Sequence, residues 1–353
     1  MRIKRTKNLL YIFSSIMVLG LALISFDSLG LGPAKQTGQV SVSDPTKKPE
    51  KNQSPKHTAT PTPANTPTPT PTPSLAQLNA AVEIQPATDD IGLGLVAVIS
   101  NHLNEYYAAE ELQVKKIDNI TCYYKPGLAD INYFVYASYD IIYEGSNVPV
   151  PTLKEYLISI DEEQNLSVLT SSDDTDVQEA LLLSRASASV AELYIKELIR
   201  CYMNAKLAVD NELLGSLVTN PSYLDFEKIR KTTEYIEEYQ NPEYLIDHCS
   251  DVIPEFDYIV YVAFSSKIVN IKTSAPGMDE FLIKIDDNNY PRVFLGEISP
   301  ESQECRMELR MKEEYSAFYK TKVEEPLIEA MLSDSNLRDF IERLYLNEEN
   351  TEN

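Results

Sequence analysis

The chain has 353 residues, 43% of them apolar, which is enough for two domains of ordinary size and outside the composition of a disordered protein. Its formal net charge is −23, unevenly spread: residues 1–60 hold nine Lys/Arg against three Asp/Glu, leaving 22 basic and 51 acidic residues in the rest. Such an acidic surface repels nucleic acid and anionic lipid and has no basic patch for phosphate, which excludes DNA and RNA as expected partners of the folded part.

Residues 1–8 carry Arg2, Lys4, Arg5 and Lys7, and an uncharged apolar run occupies 9–26. That run is at the lower end of what spans a bilayer. The pattern predicts a cytoplasmic basic segment at 1–8 and a transmembrane helix at 9–28. The chain is then a single-pass cell-membrane protein with the bulk of its residues extracellular. A cleaved secretory signal is the competing reading. Against it, Ile24, Ser25, Phe26 and Asp27 form no small-x-small site, although Gly32-Pro33-Ala34 is a weaker candidate. The first cysteine is Cys122, so lipidation at a processed cysteine is excluded. The membrane is the first expected partner, through 9–28.

Residues 29–74 read as a disordered Pro/Thr-rich spacer, with nine of the 21 prolines between Pro45 and Pro73. Proline fixes φ and denies ladder hydrogen bonds, so an extended, coreless chain is expected. At about 3.1 Å per residue it holds the folded domains on the order of 100 Å from the membrane.

The first domain is expected at 75–185. Helical spacing predicts helices over 75–83 and 91–112, the latter with Leu95, Ile99 and Leu103 on one stripe. An extended segment begins at 122–124, Pro126-Gly127 marks a turn, and 131–143 reads as a long strand. Two prolines interrupt 147–151, and a hairpin comes next with strands 154–161 and 166–170. Helix dominates 176–218, and the second domain is expected at 186–346. There Asp225 caps a helix through Ile229, Ile236 and Tyr239. Next come the segment around Cys249, a turn at Pro254, and strands over 256–269, 280–285 and 292–295. Helices over 302–320 and 326–346 close it, with Ser333-Asp334-Ser335 restarting the last as a cap. Residues 347–353 are an acidic tail.

A repeat organises these elements. Residues 131–171 lie on 256–296 without a gap, at a constant offset of 125, with ten identities that include Tyr133/Tyr258, Tyr136/Tyr261, Pro151/Pro276, Glu155/Glu280 and Asp161/Asp286. A period of that length marks two copies of a domain. The order implies an α+β class, with helices on one face of an antiparallel sheet in each copy.

The chemistry-bearing residues are sparse. Cys122 and Cys249 take nearly equivalent places before the main strand of each copy, which suits small buried residues; a disulfide among the four cysteines stays open. No Cys-x-x-Cys pair indicates zinc. His102 and His248 have no counterpart in the other copy, and a Cys249/His248 pair would point to opposite faces of a strand. The acidic turns at 173–176 and 286–289 lack the glycine of a calcium loop. Catalytic, cofactor-binding and metal residues are therefore expected to be none. Tyrosine stands out, 22 against no tryptophan. Tyr133, Tyr136, Tyr139, Tyr258 and Tyr261 on the paired strands form the candidate binding surface, with Tyr133 and Tyr139 on one face and Tyr136 on the other.

Four stretches carry a resemblance: Ile120-Thr121-Cys122-Tyr123-Tyr124-Lys125-Pro126-Gly127, Tyr133-Phe134-Val135-Tyr136-Ala137-Ser138-Tyr139, Ala275-Pro276-Gly277-Met278 and Glu329-Ala330-Met331-Leu332-Ser333-Asp334. They are similar to uncharacterised membrane-anchored proteins of clostridial Gram-positive bacteria, and the element order resembles tandem nuclear-transport-factor-2-like domains. The resemblance implies a cone of helices over a curved sheet, twice, and carries no catalytic residue with it. A non-catalytic binding or scaffolding module is expected, with a protein partner in the cell envelope and no cofactor. The alternatives are an enzyme or small-ligand-binding protein using the cone pocket, and a component of a conjugation or secretion apparatus.

Overall fold

The computed structural model describes residues 72–349 apart from 109–111, 147, 170 and 250–252. The expected transmembrane helix at 9–28 and most of the spacer lie outside the described residues. Among the described residues, no helix is long and apolar enough to cross a membrane.

The elements are α1 (Leu75–Ala80), β1 (Gln85–Pro86), α2 (Asp90–Tyr107), β2 (Val114–Pro126), β3 (Tyr133–Tyr143), β4 (Val150–Ile160), β5 (Leu166–Leu169), α3 (Thr175–Arg185), α4 (Ala188–Ala208), α5 (Asn211–Leu217) and α6 (Phe226–Thr233). They continue as β6 (Ile236–His248), β7 (Tyr258–Ile268), β8 (Ala275–Ile285), β9 (Pro291–Val293), α7 (Pro300–Arg310), α8 (Glu313–Tyr319), α9 (Glu325–Ser333) and α10 (Ser335–Glu349). Two antiparallel sheets result, ordered β1-β2-β3-β4-β5 and β6-β7-β8-β9. The α+β class and the strand pairs 131–143/154–161 and 256–269/280–285 agree with the sequence expectation.

The repeat is built into the backbone. Tyr136 pairs across the ladder with Glu155, and Tyr261 with Glu280. The hairpin turns share one construction: the Asp161 carboxylate accepts from Asn165 N and that of Asp286 from Tyr290 N. Gln164 and Asn289 take left-handed φ values of 68° and 61° there. The long strands β2 and β6 are each bulged between Asp118/Thr121 and Gln240/Glu243, with Asn119 and Asn241 left-handed at φ 53° and 51°. Asparagine tolerates that region, so each bulge bends its strand at little cost.

The helices cover both faces of each sheet rather than one. Strand alternation sends Val135, Ala137 and Tyr139 against Leu95, Ile99 and Leu103 of α2, and Phe134 and Tyr136 against Val177, Leu181, Val190 and Tyr194 of α3 and α4. In the second sheet Val260, Val262 and Phe264 meet Ile195, Ile199, Tyr202 and Met203 of α4, while Ile259 and Tyr261 meet Leu309 and Tyr315 of α7 and α8. The order of layers is helix, sheet, helix, sheet, helix. Helix α4 is apolar on both sides because it serves two sheets, as its burial requires. The expected boundary at 185/186 falls between α3 and α4.

Three further expectations are corrected. The helix expected through Tyr239 ends at Thr233, and 236–248 is the strand β6. Cys122 and Cys249 are not equivalent: Cys122 faces Ala137 across the ladder, and the residue in that place in the second sheet is Tyr244, opposite Val262. The link between β6 and β7 is longer than that between β2 and β3, which displaces Cys249. Pro151 does not interrupt a strand; it pairs with Asp140 inside β4. The expected cap at Asp334 forms, accepting from Asn336 N and Leu337 N. Between α8 and α9 the helix widens into a π-turn at Lys320–Glu324. Pro326 comes directly after, and its missing N–H and its ring against the preceding turn account for the widening.

Candidate functional site

The five candidate tyrosines are largely interior. Tyr136, Tyr139 and Tyr261 have no exposed surface, and Tyr133 and Tyr258 are half-buried. Tyr133 and Tyr139 lie on the α2 side and Tyr136 on the α3–α4 side, in keeping with the alternation. The Tyr139 hydroxyl lies 3.3 Å from that of Tyr107 and 3.5 Å from that of Tyr156. The Tyr136 and Tyr261 hydroxyls are buried without a hydrogen-bond partner among the described residues. Burial pushes both phenols well above the ordinary range.

Beside each of these repeat-mates stands a glutamate clamped by arginine. Glu155 accepts from Arg185 Nε at 2.8 Å and Nη2 at 2.6 Å, and the same guanidinium stacks 4.6 Å over the Tyr290 ring. Glu280 accepts from Arg306 through Nε at 2.9 Å and also through Nη2, and from Arg310 Nε at 2.9 Å. Arg185 ends α3 and Arg310 ends α7, so the helix after each hairpin returns an arginine to the same strand position. Sequence reasoning missed these arginines, yet the signal was present. Carried past Gly296, the offset of 125 also matches Gln178/Gln303, Glu179/Glu304, Arg185/Arg310 and Tyr194/Tyr319. Forked guanidinium–carboxylate bonds suit such positions because geometry and charge are satisfied together.

Lys125 is fully buried in the first sheet, donating to Ser184 Oγ at 2.6 Å and to the Asn79 carbonyl at 3.0 Å. Desolvation pushes its ammonium down to about 8, against an opposing pull from Glu155. Ser184 is equally buried and donates on to the Ala180 carbonyl. A serine–lysine pair has nucleophile chemistry in principle, but no substrate reaches it there.

Where α4 passes between the sheets, a cavity of about 230 Å³ opens among Leu153, Tyr194, Glu197, Cys201, Tyr290 and Arg292. Its carboxylate belongs to a buried network: Arg200 donates to Glu197 at 2.8 and 3.0 Å and to Asp140 at 2.8 Å, and Ser138 donates to Glu197 at 3.1 Å. Burial raises the Glu197 pKa, with Arg200 and Ser138 acting against it. The cavity is smaller than the ~300–1,000 Å³ of ordinary ligand pockets, and its acid is already consumed by hydrogen bonds. It has room for one amino-acid side chain or a ligand of that size.

No protein-family model, curated protein or solved structure matches the chain. The remaining chemistry is read from the residues alone. The four cysteines are free, and burial pushes the thiols of Cys122, Cys201 and Cys249 up to about 11. Such thiols stay protonated and unreactive at neutral pH. His102 meets the edge of Tyr156 at 5.6 Å, and His248 that of Tyr258 at 4.9 Å. Among the described residues, no group of three His, Cys, Asp or Glu side chains could hold a metal ion.

Proposed function

We propose that the chain is a non-catalytic binding or scaffolding module, held outside the cell membrane by the 9–28 segment and carried on the Pro/Thr-rich spacer. One observation supports this reading above others. The strongest buried ionisable groups, Glu155 with Arg185 and Glu280 with Arg306 and Arg310, occupy matching places in both sheets and satisfy one another. Groups used twice in the same internal bonds serve the fold, whereas a reacting site needs a charged group facing a substrate. The helix–hairpin order and the paired bulges that bend β2 and β6 support a nuclear-transport-factor-2-like assignment of the two repeats. The small-ligand alternative rests on the cavity beside Glu197. An envelope assembly such as a conjugation or secretion apparatus would use a module of this build as a spacer-borne adaptor.

The test is crosslinking of the full chain in intact cells, then purification from membranes. A specific envelope protein, with the folded region cut by protease added outside, is the expected result. Fractionation away from membranes, or no specific crosslinked partner, would overturn the reading.

A further inference from the structure

The two sheets differ at one edge. In the first sheet β1 lies on the outer edge of β2, antiparallel, with Gln85 opposite Tyr124 and Pro86 opposite Tyr123. The contact is extended by Ala87 N donating to the Cys122 carbonyl at 2.9 Å. In the second sheet β6 is the edge strand, and among the described residues no strand lies outside it. The position that matches Cys122 is Tyr244, since Ala137 and Val262 are repeat-mates and face Cys122 and Tyr244 respectively. The Cys122 carbonyl points outward to β1, so the backbone N–H and C=O of Tyr244 point outward too, as do those of Ile246 two residues on. The bulge ends at Glu243, leaving 243–248 as regular strand.

We propose that the outer edge of β6 at 243–248 takes up an extended basic peptide of a partner as an added antiparallel strand, in the place that β1 fills in the first sheet. Main-chain bonds to Tyr244 and Ile246 would give affinity and register, the mode known as β-augmentation. The charge preference comes from composition. β6 carries Glu237, Glu238, Glu243 and Asp247 and no Lys or Arg, within a region that holds 22 basic against 51 acidic residues. Lys267, Lys322 and Lys312 pair with Glu237, Glu243 and Asp247 from neighbouring elements, and Gln240 donates to Glu238 at 2.7 Å, so the wider acidic field rather than any single carboxylate selects the incoming strand. The proposal rests on the binding reading above and names the element that does the binding.

The probe is a fluorescein-labelled hexapeptide of alternating lysine and valine, titrated by anisotropy against the full chain in detergent. Controls are the glutamate/valine counterpart and a lysine/valine peptide with alternate amides N-methylated. Saturable binding of the first peptide alone is expected, with slowed hydrogen exchange at Tyr244 and Ile246. Ile246→Pro removes an outward N–H without touching the β7 ladder and should weaken binding at least tenfold, while Ile246→Val should not. Equal binding by the N-methylated or acidic peptide, no saturable binding, or protection confined to other strands would overturn the proposal. If Ile246→Pro unfolds, the N-methylated peptide decides on the wild-type chain. An envelope partner still crosslinked by a folded Ile246→Pro chain would sink the edge proposal and leave the binding reading standing.

Discussion

Replacing Glu280 by glutamine would leave two guanidinium groups in the interior without their counter-charge. The Glu280 side chain is completely buried, that of Arg306 is 2% exposed and that of Arg310 is 16% exposed. Removing one partner of a buried ion pair costs about 3–5 kcal/mol, because the surviving charge keeps its desolvation penalty and loses its compensation. Glu280→Gln should fall at the top of that range, since the two guanidiniums keep only neutral acceptors, the new amide oxygen and, for Arg306, Gln303 Oε1 at 2.9 Å, while the amide NH2 faces them as a second donor. Glu155→Gln should cost less, about 1–3 kcal/mol, because Arg185 is 18% exposed and can turn toward water over Tyr290. Set against the ~5–15 kcal/mol of ordinary domain stability, the first variant should be marginal and the second comfortably folded. Urea unfolding monitored by circular dichroism measures both. The triple Glu280→Met/Arg306→Met/Arg310→Met variant should recover much of the loss, since replacing all partners by apolar residues removes the penalty as well as the bonds. Equal costs for Glu155→Gln and Glu280→Gln, or a triple variant worse than Glu280→Gln, would refute the reasoning.

The buried ammonium of Lys125 gives a pH signature. Its pKa falls to about 8 in the folded chain from 10.5, so between these values the unfolded chain holds a proton that the folded one has released, and stability rises with pH. The raised thiols of Cys122, Cys201 and Cys249 act the other way from pH 9 upward, so the quantity to measure is the difference between wild type and Lys125→Met. From pH 8 to 9.5 wild type should gain about 1.5 kcal/mol on the variant in urea titrations; a constant difference would contradict the assigned burial. Gly127→Ala would set a Cβ 2.4 Å from the Ile131 carbonyl oxygen, a backbone atom that cannot swing aside. It should lower stability by about 1–3 kcal/mol. Gly94→Ala, on a helix and 3.4 Å from the end of Leu166, should be neutral or stabilising by up to about 1 kcal/mol. Thermal melts of the two compare them directly.

What could be read from the residues alone tracks where a local signal agrees with the tertiary one. The strands β3, β4, β7 and β8 were legible because apolar alternation, turn chemistry and the repeat coincide, and Asp161 and Asp286 form the hairpin turns their positions suggest. Strand β6 was not legible because Phe226, Ile229, Thr233, Ile236 and Tyr239 keep a spacing of three to four across the true break at Thr233. Its own alternation is scrambled by two register shifts, between Ile236/Glu238 and Gln240/Glu243. The bulge in β2 likewise hid Val114–Thr121, so only its far end was visible as an extended segment. The arginine clamps escaped for a different reason. Arg185 and Arg310 sit on helices, 30 residues from the glutamates they bind, and single residues carry no periodicity. The burial of Tyr136, Tyr139 and Tyr261 depended on helices covering both sheet faces, which is a property of the stack.

That stack also accounts for why, among the described residues, no third sheet is laid on the second. Carried through α4, the offset of 125 places Ala188–Ala208 on 313–333, the run of α8, the π-turn and α9. Within α4, Ile195 and Ile199 are fully buried because they face the second sheet. Their counterparts are Lys320 and Glu324, charges where a further sheet would need apolar side chains. Lys320 is 63% exposed and pairs with Glu325 instead. Helices α9 and α10 then fold back, packing Ala330, Leu337 and Ile341 on Ile268 at the end of β7. A repeat that cannot bury both faces by itself needs a layer that does not call for another sheet, and the charges at Lys320 and Glu324 give these helices that character. With both faces of the second sheet covered, the place where the described residues leave it without a neighbouring strand beside β6 is in the plane of the sheet, along that edge.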